Sequence, residues 1–226
     1  MTHGRSLRFD LDLREALDRR LRPDALILQE DRNLVMGGAG VLDLDAADGL
    51  DAAYMAIAEH RPLPLGRYLL LRSRTREYWT YQAVVHDLEA HPSSRPGNVR
   101  RSLTAILKDA VKRGMQFVVV EPLGMWRGTG LTIEEMAEAF EAAVLEVCVG
   151  LEGPLRLVLM LDEFEELEEL SHLLRSRLLG KATRSFRTVD GDAALVEIRQ
   201  RGRKFHCRFV PGSLSGFLVS CIENEI

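Results

Sequence analysis

The chain has 226 residues and a mass of 25.4 kDa, with 46% hydrophobic and 28% charged residues, a composition that excludes intrinsic disorder and fibrous repeats. A net charge of -4 and a pI of about 5.9 give no overall attraction to nucleic acid or to an anionic membrane. Three widely spaced cysteines, Cys148, Cys207 and Cys221, without any C-x-x-C pair, exclude a disulfide framework and a thiolate zinc site. No apolar run approaches the roughly 18 to 20 residues that span a bilayer, so a cytoplasmic protein is expected.

In chain order, Leu7 to Asp10 reads as a short strand, and the stripe Leu13, Ala16, Leu17, Leu21 reads as a helix. Ala25 to Leu28 is a continuous apolar run suited to a strand buried on both faces. A flexible glycine loop, Gly37-Gly38-Ala39-Gly40, follows, then a helix over Leu50 to Ile57 and strands over Tyr68 to Leu71 and Trp79 to Leu88. The second half alternates more regularly: helix Asn98 to Arg113, strand Phe117 to Val120, helix Ile133 to Cys148, strand Leu155 to Leu161, helix Phe164 to Leu178. Such alternation predicts a largely parallel sheet between helical layers, with Leu26, Val119 and Val158 on neighbouring strands.

After Gly180 the period changes to two, with strands over Phe186 to Val189, Ala194 to Ile198, Lys204 to Val210 and Phe217 to Cys221. The division expected is therefore a main α/β domain over 1–180 and a β-stranded extension over 181–226, packed on the main domain or on another subunit. Charge changes there too: the extension carries a net +3 and the rest −7. The interleaving of Arg199, Arg201, Arg203, Lys204 and Arg208 with Phe205 and Phe209 suggests a small nucleic-acid platform, not favoured over an outer charged face. The acidic run Asp162 to Glu169 opens a helix, where carboxylates suit the positive end of the helix dipole.

There is no G-x-S-x-G elbow, Walker A, H-E-x-x-H or complete G-x-G-x-x-G motif, and the six histidines form no ligand pair. Neither a metal nor a cofactor is expected. What remains is two glycine-rich junctions, Leu28 to Val41 and Val120 to Leu131, each after a buried strand and before a helix. Loops at the carboxyl ends of strands bind ligands in open α/β folds, and glycines there bring backbone N–H groups close to phosphate. Two such loops suit a diphosphate.

The order of pieces resembles the macro domain, an ADP-ribose-binding module with a mixed sheet between helical layers. Asp24-Ala25-Leu26-Ile27-Leu28, Gly37-Gly38-Ala39-Gly40 and Gly49-Leu50-Asp51-Ala52-Ala53 look like its opening parts. Leu63-Pro64-Leu65-Gly66, Val85-His86, the helix from Asn98 and the loop Pro122 to Leu131 continue it over residues 8 to 176. The fold implied is a three-layer α/β/α macro-like domain with a mixed sheet, plus a small C-terminal β-meander.

The resemblance implies a site for ADP-ribose or a related nucleotide diphosphate. Asp10 in Phe9-Asp10-Leu11-Asp12 would match the family's Gly-Asp-Ile-Thr aspartate that accepts from the adenine amino group. Asn33, Gly37, Gly38, Gly40 and Val41 would form one wall; Gly124, Met125, Trp126, Arg127, Gly128 and Thr129 would form the other, with Trp126 for stacking and Arg127 for phosphate. Asp51 is the candidate catalytic residue. The family's Asn-Ala-Ala-Asn segment is replaced by Gln29-Glu30-Asp31-Arg32-Asn33; loss of the Asn-rich segment argues for inefficient hydrolysis, and the two added carboxylates oppose an anionic ligand. A non-catalytic protein that kept the fold and lost the ligand is the competing expectation. Self-association is expected from the apolar face of the extension.

Overall fold

In this computed structural model the described residues are 6–14, 22–36, 60–72, 77–126, 128–151, 153–187, 194–200, 203–209 and 216–222. The sheet holds ten strands: β1 (Ser6–Leu13), β2 (Ala25–Asp31), β3 (Arg67–Arg72), β4 (Trp79–His86), β5 (Phe117–Val120), β6 (Leu155–Leu161), β7 (Ala182–Arg187), β8 (Ala194–Gln200), β9 (Arg203–Phe209) and β10 (Gly216–Ile222). Their spatial order is β3-β4-β2-β5-β6-β1-β10-β9-β8-β7. The strands from β4 to β1 pair parallel, whereas β3 and the segment β10 to β7 pair antiparallel with their neighbours. The sheet is mixed and the architecture is the expected α/β/α arrangement with a C-terminal meander.

Three helices are described: α1 (Pro96–Lys112), α2 (Ile133–Cys148) and α3 (Phe164–Gly180). Proline within the first turn of α1 loses no hydrogen bond, because the first N–H groups of a helix have no partner within it. Thr132 opens α2 through a reciprocal capping box with Glu135. All three helices share one core with Phe9, Ile27, Tyr81, Val118, Leu157 and Leu159 on one face of the sheet. Leu26, Val119 and Val158 lie side by side on β2, β5 and β6 and form, with Met160, an apolar cluster on the opposite face. The expected adjacency of these three strands is thus present.

The sequence boundaries hold for β5, α2 and β6, and the differences elsewhere have physical causes. β2 runs on to Asp31, because Glu30 and Asp31 are fully buried in a polar end of the strand. β7 starts at Ala182, directly after α3, where the Thr183 hydroxyl donates to the Glu197 carbonyl of β8. The helices read over Leu13 to Leu21 and Leu50 to Ile57 lie almost wholly outside the described residues, and Leu13 itself belongs to β1.

The meander continues the main sheet through β10, whose Gly216 to Ser220 pair with Asp10 to Ser6 of β1. Ile198, Phe205, Cys207 and Val219 are buried in the same core as the helices. Cys148 is 1% exposed and its thiol donates to the Val219 carbonyl. Phe205 is 2% exposed and turned inward, so it offers no ring to a nucleic-acid base. On the other face Arg199, Lys204 and His206 surround Glu197 at 3.7 to 3.9 Å.

Candidate functional site

The parallel strands bring five carboxyl ends to one edge, and the polar residues there are organised around β2. The Gln29 side chain, the first polar group after the apolar run Ala25 to Leu28, makes three hydrogen bonds. Its Nε2 donates to the Met125 carbonyl, while its Oε1 accepts from the Gly124 N–H and from His86 Nε2. Because the amide oxygen must accept, His86 carries its proton on Nε2, and Nδ1 faces the Ser93 hydroxyl at 3.1 Å. Ser93 in turn bonds Thr129 through its backbone N–H and lies 3.1 Å from the Thr129 carbonyl. This chain ties β2, the end of β4 and the loop after β5 into one polar network. Burial lowers the His86 imidazole to about 4, against an upward pull from Asp31, so the ring is neutral at physiological pH.

Glu30 and Asp31 do not face the mouth as open charges. Asp31 accepts from the N–H groups of Asn33, Val35 and Met36 at 2.6 to 2.7 Å. Glu30 accepts from the N–H groups of Asp31 and Met36. Between them they hold residues 33–36 in a turn in which Leu34 adopts a positive φ of 61° with its side chain buried among Leu63, Leu69 and Val84. Burial with converging donors is the condition under which a carboxylate is tolerated in a protein interior. Arg32 completes the turn by pairing with Asp87 at 2.8 Å, which holds that carboxyl below the usual range.

The second loop is equally determined. Gly124 has φ +88°, and a Cβ there would meet Leu131 and Val99 at 2.8 Å; a Cβ on Gly130 would lie 2.0 Å from the Gly124 carbonyl oxygen. The Leu131 N–H donates to that same oxygen, which closes the loop on itself. At its start sits Glu121, whose Oε1 accepts from the Gln29 N–H and whose Oε2 is 4.0 Å from Arg14. Arg14 is held at 2.5 Å by Asp162, beyond the end of β6. Burial pushes the Glu121 carboxyl up to about 7, with Gln29 and Arg14 pulling it down and Asp162 pushing it up. A carboxyl that titrates near neutrality at the end of a central strand is a functional candidate.

The structure brings together some of the residues singled out from the sequence and not others. Asn33, Gly124, Met125, Trp126, Gly128 and Thr129 lie at the carboxyl edge. Within the second loop the Gly124 N–H donates to Gln29, that of Met125 to Pro122 and that of Thr129 to Trp126. Asp10 sits within β1 opposite Val158, three residues before the strand ends, and its carboxylate is held at 2.9 Å by both Arg8 and Arg156. Gly37, Gly38, Gly40, Val41, Asp51 and Arg127 lie outside the described residues. Gln29 and Glu121 were missed as site residues. The available signals were an amide directly after the apolar run Ala25 to Leu28 and a carboxylate placed directly after the buried strand Phe117 to Val120.

No family model and no curated protein matches the sequence. Solved structures do match the fold. An Oceanobacillus iheyensis macrodomain variant aligns over 76% of this chain and 93% of its own, at 12% identity and a TM-score of 0.58. The fold is that of a macrodomain. A second variant of the same Oceanobacillus macrodomain, solved with ADPR, aligns over 76% of this chain and 94% of its own, at 12% identity and a TM-score of 0.55. The Trypanosoma brucei macrodomain in complex with ADP aligns over 75% of this chain and 69% of its own, at 14% identity and a TM-score of 0.56. At such identities the likeness concerns the macrodomain fold. Among the described residues no helix is long and apolar enough to cross a membrane, and no cluster of three metal-ligating side chains occurs.

Proposed function

We propose that this macrodomain-fold protein binds ADP-ribose or a related nucleotide diphosphate between residues 37–41 and 124–129, and turns such ligands over slowly or not at all. The observation that carries the reading is the destination of Glu30 and Asp31. Their carboxylates are absorbed by backbone N–H groups, so the charge that opposes an anionic ligand is compensated inside the protein. Gln29 adds support, since it fixes the second loop relative to β2 before any ligand arrives, and a preorganised site loses less entropy on binding. The ADPR and ADP in two of the similar structures motivate the choice of ligand. The weak-turnover part rests on the missing Asn-rich segment, with Asp51 the one catalytic candidate retained.

Titration calorimetry with ADP-ribose tests the binding. Saturable binding is expected, and Gly38→Trp abolishes it while leaving the melting temperature close to that of the parent. Unchanged affinity in that variant rejects the site, and absence of any binding by the parent favours a fold that lost its ligand. Release of ADP-ribose from a modified protein, lost in Asp51→Asn, overturns the expectation of weak turnover.

A further inference from the structure

The amino ends of the strands, opposite the proposed ligand edge, carry a trough with an apolar floor and a basic rim. A cavity of about 480 Å³ opens between the end of α1 and the turn before β6. Its floor is Val111, Met115, Leu151 and Pro154, and Lys108 and Lys112 line it with no carboxylate among the described lining residues. A second hollow of about 240 Å³ across α2 shares Lys108 and adds Arg100 and Arg203. Its one carboxylate, Glu146, bonds Arg100 at 2.6 Å and Lys108 at 3.4 Å, which leaves an excess of positive charge.

The opposite feature stands at the other end of β6. Phe164, the first residue of α3, is 49% exposed and is flanked by Glu163, Glu165, Glu166, Glu168 and Glu169. None of these five carboxylates is in an ion pair among the described residues. Their crowding shows in Glu166, whose carboxyl is raised by burial and by Asp162, Glu163 and Glu169. An exposed ring amid unpaired like charges is complementary to a surface that supplies an apolar pocket ringed by cations.

We propose that the acidic ridge at the start of α3 docks into the basic trough of a second copy of this chain, with the Phe164 ring on the apolar floor. The ridge follows Leu161, and the trough precedes Phe117 and Leu155, so the length of β6, about 20 Å, separates them within one molecule. A ridge therefore cannot fill its own trough. Contact between copies is head-to-tail, each copy leaving one ridge and one trough open, and it propagates with concentration. Because the facing charges are exposed, salt weakens the contact.

Sedimentation velocity on the full chain, at millimolar protein in low and high salt, tests this. The expected result is association at low salt that is lost at high salt. Two charge reversals, Lys108→Glu with Lys112→Glu in the trough and Glu165→Lys with Glu169→Lys on the ridge, should each give a folded monomer by circular dichroism. Mixed in equal amounts they should associate again, because each then meets the opposite charge. Phe164→Ser should weaken association of the parent by about tenfold. A parent that stays monomeric at low salt, an association indifferent to both reversals, or folded variants that do not recover on mixing, each overturns the proposal.

Discussion

The carboxyl ends of β2 and β5 receive the same chemical group in different surroundings. Asp31, fully buried, meets three backbone N–H groups within 2.7 Å, whereas Glu121 meets one backbone N–H and a guanidinium 4.0 Å away that another carboxylate already holds. The first arrangement builds a turn around a fixed charge. The second leaves a carboxyl whose burial is poorly compensated and which titrates at about 7. Burial alone therefore does not decide what a strand-end carboxylate does; the number of donors aimed at it does.

The largest effect that would break this comparison is at Asp31. Asp31→Ala orphans the Asn33 and Val35 N–H groups, while that of Met36 keeps the Glu30 carboxylate, and is expected to cost about 3 kcal/mol in denaturant unfolding, while Asp31→Asn retains part of that. A loss below about 1 kcal/mol would mean that the turn does not depend on its carboxylate.

Next comes Gln29, which joins the two ends. Gln29→Ala should lower stability by about 2 kcal/mol and weaken ADP-ribose binding by roughly tenfold, because the loop at 124–125 loses both contacts to β2. Stability loss with unchanged affinity would restrict Gln29 to the fold.

Glu121 sharpens the comparison through pH. Its carboxyl is raised from an ordinary 4.5 to about 7 in the folded chain, so the native state binds more protons than the unfolded state between those values. Its contribution is fully present below pH 4.5 and is lost as pH rises through 7. Glu121→Gln should remove this decline, and unfolding curves of parent and variant that stay parallel from pH 5 to pH 8 would refute it. His86 acts in the opposite sense. Its pKa is lowered from 6.5 to about 4, so the unfolded state binds the extra proton, and stability falls as pH falls through that window.

The smallest effect is expected at Thr132, where the second loop runs into α2. Thr132→Ala removes one cap bond and should cost about 1 kcal/mol without altering ADP-ribose affinity. A change in affinity there would show that the loop is held from its helix end as well as from β2.

The strand Phe117 to Val120, the helix Ile133 to Cys148 and the strand Leu155 to Leu161 were legible to the residue. Periodicity and capping act over a few neighbouring positions, and the order of these elements was enough to point to the macrodomain fold. The glycine-rich junction after Val120 was legible for the same local reason. Side-chain destinations were not. Asp10 read as a ligand contact, yet strand register sets it between Arg8 and Arg156, the second of them on β6. Phe205 read as part of a basic platform, and the pairing of β9 with β8 and β10 turns its ring into the core. Glu30 and Asp31 read as charges facing a ligand and became the caps of a turn, while Gln29 and Glu121 acquired partners from strands far away in the chain. Local pattern determines which segments become strands and helices. Which donor a buried polar group meets depends on which strand lies beside it, and only the assembled sheet decides that.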